Sequence, residues 1–114
     1  MTPRQDVRAV EILDQMLEFF DDGRMWCKGT PFDLNGRLCL AACHDQFAMP
    51  LEMGTAWPFL QRALPKNATS LVSFNDHAKS YARIKALILR AQVLASRSIE
   101  EAVPYDARRR SRAA

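Results

Sequence analysis

The chain is expected to fold mainly as α-helix, with about four helices packed around one core and an irregular loop region that has room for one short hairpin. Two observations predict this. Apolar residues recur every three or four positions from Val7 to Phe20 and again from Tyr81 to Ala95, the period of a helix with one buried face. Between these segments, Gly29, Pro31, Asn35-Gly36, Pro50, Gly54 and Pro65 punctuate the chain too often for a third long element. A 48% apolar and 25% charged composition over 114 residues is that of an ordinary globular protein with enough chain for a core.

The first helix is signalled by Thr2 as cap, Pro3 at its first position and Gln5 completing a capping box. Val7, Val10, Leu13, Met16, Leu17 and Phe20 form its inner face, and Gly23 is the expected stop. Glu11, Asp14, Glu18, Asp21 and Asp22 lie outside. Residues 23–37 are irregular, with short extended pieces at Arg24–Lys28 and near Phe32–Leu34 and a tight turn at Asn35-Gly36. A second helix is expected from about Leu38 to Phe47, and a third capped by Thr55, carrying Trp57, Leu60 and Leu64 and stopped by Pro65. Leu71–Phe74 reads as a short apolar run entering a turn at Asn75-Asp76. The longest helix starts near Ser80 and buries Tyr81, Ile84, Leu87, Ile88, Ala91, Leu94 and Ala95, and Ser98 with Glu101 forms a second capping box for one further turn.

Residues 1–103 are thus read as one helical domain, and 104–114 as a basic, disordered tail. Arg108, Arg109, Arg110 and Arg112 against Asp106 account for the whole formal net charge of +3, so the body is neutral. Nucleic-acid contact is therefore a reading for the tail and not for the fold. No apolar run approaches the ~20 residues of a membrane span, and the first residues lack the apolar core of a secretory signal. A cytoplasmic, non-membrane protein with three reduced cysteines is expected.

Chemistry, if present, gathers around the cysteines. Cys39 near a helix start, with His77 as base and Asp76 or Asn75 to orient it, would make a thiol-dependent hydrolase or transferase. Cys39 and Cys43 share a helix face and, with Cys27 and His77 or His44, spell a zinc-type ligand set. It lacks a C-x-x-C knuckle, and buried thiols in a helix core explain the same spacing. No metal and no cofactor are therefore expected. Arg83, Arg90 and Arg97 recur every seven residues on the last helix, while Glu11, Asp14 and Glu18 line the first. Rows of opposite sign suit the flanks of a packed helix pair, two solvated faces, or a surface for a partner.

Trp26-Cys27-x-Gly29, Gly36-Arg37-x-Cys39 and Leu71-x-x-Phe74-Asn75-Asp76 before a final helix resemble a family of small uncharacterised bacterial and phage domains. Its members show W-C-x-G, G-R-x-C-x-x-G-A and I-x-x-W-N-D. The resemblance covers roughly Val10 to Ala95, and the chain departs from it at Ala42-Cys43, where Gly-Ala is usual, and at Phe74, where Trp is usual. It implies that Trp26, Cys27, Gly29, Gly36, Cys39, Asn75 and Asp76 act as one set. The physical reading of that set is a clasp: Asn75 and Asp76 bond the loop backbone, Trp26 lies on the second helix, and Gly29 allows close approach. The expected function is a non-enzymatic interaction or regulatory module that binds another protein, in a phage or mobile-element setting.

Overall fold

The computed structural model describes residues 5–102, so the Thr2–Pro3 cap and the arginine tail lie outside the described residues. Five helices follow in order: α1 (Gln5–Phe20), α2 (Leu40–Phe47), α3 (Trp57–Ala63), α4 (Leu71–His77) and α5 (Tyr81–Ala102). Short 3₁₀ turns at Asp21–Gly23 and Pro50–Glu52 complete them.

The two periodic segments became the frame. α1 lies along α5, α3 packs on α5, α2 on α1, and α4 on α2. Between them Ile12, Leu13, Met16 and Phe20 meet Leu40, Leu60, Leu71, Ile84, Leu87 and Ile88, all at most 2% exposed. Each such side chain contributes roughly 1.5–3 kcal/mol on burial, so this layer carries the fold. Phe20 and Tyr81 meet edge to face at 5.5 Å, joining the end of α1 to the start of α5.

Several expectations need correction. Leu71–His77 is a helix and not a run into a turn, because Ser70 Oγ accepts from Ser73 N at 3.0 Å and caps it. α4 thus brings the helices to five, against about four expected. α2 starts at Leu40, two residues late, since Cys39 stays extended and its Sγ accepts from Ala42 N as the cap. Ala56, without a side-chain bond, occupies the cap position of α3 in place of Thr55. α3 ends at Ala63 because Leu64 before Pro65 is held extended. α5 runs through Ser98 and Glu101 unbroken, and Ser98 Oγ donates to Asp6 Oδ2 of α1 at 3.3 Å.

α1 ends at Phe20, ahead of Gly23, because Asp21, Asp22 and Gly23 all take positive φ (46°, 56° and 100°). The acidic pair has cations nearby, with Arg24 on Asp21 at 3.4 Å and Lys85 on Asp22 at 3.5 Å. At Gly23 a side chain is doubly excluded: besides its φ, a Cβ would sit 2.9 Å from Tyr81 Cβ. No hairpin forms between the expected extended pieces. Leu38 instead makes isolated bridges to both Trp26 and Phe32, and no strand occurs among the described residues.

Candidate functional site

Asn75, 1% exposed in the last turn of α4, is the hub around which the motif residues gather. Its Oδ1 accepts from Trp26 Nε1 at 2.7 Å and from Leu40 N, at the start of α2, at 3.1 Å. Its Nδ2 donates to Cys27 O at 3.2 Å. The neighbouring Asp76 Oδ1 accepts from Gly29 N at 2.9 Å, and Lys28 Nζ donates to Ala78 O at 2.8 Å, capping α4. One amide side chain therefore joins the loop, α2 and α4.

The loop beyond this hub is bonded to itself. Cys27 N donates to Leu38 O, Leu38 N to Met25 O, and Cys39 N to Pro31 O, at 2.9–3.1 Å. Asp33 closes the tip: its Oδ1 accepts from Asn35 N and Arg37 N at 3.0 Å each, and Oδ2 from Arg37 Nε. Burial alone would raise the Asp33 carboxyl, but the bonds from Arg37 and Asn35 outweigh it and hold the group below its ordinary value. Cys27 Sγ lies 3.6 Å from Thr30 O and 3.5 Å from Arg37 O, inside the loop, where burial and then the Asp33 charge push its pKa up.

Trp26 packs against Tyr81 of α5, ring centroids 6.1 Å apart, and its Nε1 shares the Asn75 Oδ1 acceptor with Leu40 N at the start of α2. One part of the clasp expectation differs from the structure. No atom lies within 4 Å of a Cβ built at Gly29, so φ of +82° and not close approach makes glycine suitable there. Gly36 has φ +78° at the Asp33–Arg37 turn.

The residues of the thiol reading face other partners. Cys39 is 8% exposed and serves as the α2 cap. His77 Nδ1 donates to Ser73 O, one turn back in its own helix, at 2.8 Å, and the Asp76 carboxylate receives Gly29 N. No hydrogen bond links Cys39 to His77 among the described residues. Cys43 is sealed in the core with its thiol raised far above the ordinary range by burial. The cysteines and histidines named as metal ligands form no metal-sized group among the described residues. His44 is buried, its Nδ1 2.9 Å from Asp45 Oδ1 and its ring edge-on to Trp57 at 5.0 Å.

Nor do the charged rows pair with each other. Arg90 Nη1 donates to Ala63 O at 2.8 Å, capping α3, while Arg83 and Arg97 have no ion pair among the described residues. From α1, Asp14 accepts from Gln92 Nε2 at 2.6 Å and Glu11 from Arg8 at 3.2 Å. Glu11, Asp14 and Glu18 line a shallow depression on the outer face of α1. The rows therefore flank different sides of the α1–α5 pair. Reading the sequence also passed over Phe32 (67% exposed) and Leu34 (105% exposed), placed at the loop tip. Their signal was available, since they stand within the turn-rich stretch from Pro31 to Gly36, where an apolar side chain has little chain to hide behind.

No helix among the described residues is long and apolar enough to cross a membrane. No family model, no curated protein and no solved structure matches the chain.

Proposed function

We propose that the protein is a non-enzymatic binding module that uses the loop from Cys27 to Cys39 to engage another protein. The supporting observation is the combination of exposure and rigidity at the tip. Phe32 and Leu34 are 67% and 105% exposed on a backbone tied down by the Asp33 and Arg37 bonds and by the Asn75 hub. Because the backbone that carries the pair is already held, docking it loses less conformational entropy than docking a segment that must first be ordered. On this reading the motif residues act at one remove: they hold the loop and do not touch the partner.

The test places a photoreactive aliphatic residue at Leu34 in the producing cells. One discrete cross-linked protein is expected, and its loss on Phe32→Ser. The same residue at Val72, an exposed position on α4 (53%), serves as control. No adduct at Leu34, or the same adducts from both positions, would refute the reading.

A further inference from the structure

The outer face of α5 carries a second, differently built surface. Ala82, Ala86, Leu89 and Val93 recur at four-, three- and four-residue spacing. They point away from the buried row Ile84, Leu87, Ile88, Ala91 and Ala95, and all four are exposed. The helix thus has two apolar rows: one faces the core and one stays exposed among the described residues. Alternating three- and four-residue spacing is the pattern of a seam that accepts another helix.

Arg83, Arg90 and Arg97 run down one flank of this ridge, each one residue beyond Ala82, Leu89 and Ser96. Beside it opens a cavity of about 250 Å³ lined by Pro65, Phe74, Arg83, Ala86, Leu87 and Arg90, large enough for one bulky apolar side chain. Pro65, Phe74 and Arg83 also line a neighbouring depression of about 360 Å³ that reaches His77, so the groove continues toward the end of α4.

The geometry points to an acidic amphipathic helix of another protein as the occupant, its apolar side chains on the Ala82–Val93 ridge and its carboxylates on Arg83 and Arg97. Charge decides the partner. In a parallel pair of α5 helices the arginine row would face Lys85 and Gln92 of the second copy, and in an antiparallel pair it would face itself. Neither arrangement offers a carboxylate to the arginine row, so self-pairing through α5 fits poorly and a helix with an acidic flank fits well. Arg83 and Arg97, which carry no ion pair among the described residues, are the groups left to receive it. This surface is independent of the Phe32–Leu34 loop.

The test uses two synthetic helical peptides with the same leucine seam, one flanked by glutamates and one by lysines, titrated against the full chain by fluorescence anisotropy. The glutamate peptide is expected to bind saturably and the lysine peptide not to bind. Raising salt from about 0.05 M to about 0.5 M should weaken binding roughly tenfold, since exposed charge pairs are screened. Leu89→Glu with Val93→Glu should abolish binding, and Arg83→Glu with Arg97→Glu should reverse the preference. Each variant is checked for a native circular-dichroism spectrum, which these exposed positions are expected to preserve. Phe32→Ser with Leu34→Ser should leave peptide binding unchanged, separating this surface from the loop. No binding of the glutamate peptide, equal binding of both peptides, or binding that survives Leu89→Glu would each overturn the proposal. So would sedimentation showing a dimer that Leu89→Glu dissolves, which would make the second copy the occupant.

Discussion

Replacing Asn75 by alanine should cost more than any surface change in this protein. The side chain is 1% exposed and accepts two hydrogen bonds, from Trp26 Nε1 at 2.7 Å and Leu40 N at 3.1 Å, while donating a third to Cys27 O at 3.2 Å. Leu40 is fully buried, so its N–H would lose its acceptor with no water to replace it, at a cost of about 1–3 kcal/mol. Trp26 and Cys27 are half-buried, and water recovers part of their share. The total comes to roughly 2–4 kcal/mol, a large fraction of the ~5–15 kcal/mol that holds a domain of this size together. Urea unfolding followed by circular dichroism measures it, with Asn67→Ala as an exposed control expected within ~0.5 kcal/mol of the parent. Hydrogen exchange should show the Leu40 and Gly29 amides losing protection first. Asn75→Asp sharpens the argument. It keeps the acceptor for both donors but sets a buried carboxylate against Cys27 O, so its folded-state pKa should be raised. The penalty is then fully present above that raised value and shrinks as pH falls through it. An Asn75→Ala variant as stable as the Asn67→Ala control, or an Asn75→Asp deficit that does not narrow toward acid pH, would refute the hub.

Gly23→Ala should cost about 2–4 kcal/mol, combining a left-handed backbone with overpacking against Tyr81, whereas Gly54→Ala, in open space, should be neutral in thermal melts. Cys39→Ser should retain stability because serine caps α2 through the same bond, and Cys39→Ala should lose about 1 kcal/mol. In thiol-labelling time courses Cys43 should react only on unfolding, and its labelling in the native state at neutral pH would contradict its burial. Acid should destabilise the chain through Asp33 and Glu52. Glu52 is held low first by the Arg8 side chain and then by Met49 N–H, and Asp33 by Arg37 and Asn35 against its burial. Depressed folded-state values mean that this stability is present above the ordinary 3.8 and 4.5 and is lost as pH falls through the lower folded values. Melting temperature between about pH 7 and about pH 3 should therefore fall less steeply in Arg8→Gln or Arg37→Gln than in the parent.

The elements that sequence reading located well are those whose signal is local and repeated. α1 and α5 each show a repeated apolar row over several turns, and the structure buries Leu13, Met16 and Phe20 of the first and Ile84, Leu87, Ile88, Ala91 and Ala95 of the second, with Ala9 and Ile12 joining the inner face of α1. α4 escaped because seven residues give too few turns for a period to show, and Asn75-Asp76 imitates a turn. Ser70, its cap, was the missed local sign. The ridge Ala82–Val93 repeats with the same helical period as the inner row of α5, so periodicity alone does not set it apart as a second surface.

By itself the sequence determined that the chain is helical, where its two long helices run, and that its charge excess sits in residues 104–114. The structure decided what joins the loop to the helices. Asn75 reaches back about fifty residues to Trp26 and Cys27 and thirty-five to Leu40, and no spacing rule encodes a bond over that distance. It also decided that Cys39 caps a helix while His77 bonds within its own, and that the arginine and glutamate rows face apart. Periodicity reports which face of one helix is buried. Which side chains from different helices then meet depends on how the helices cross, and that is settled only when the core is packed.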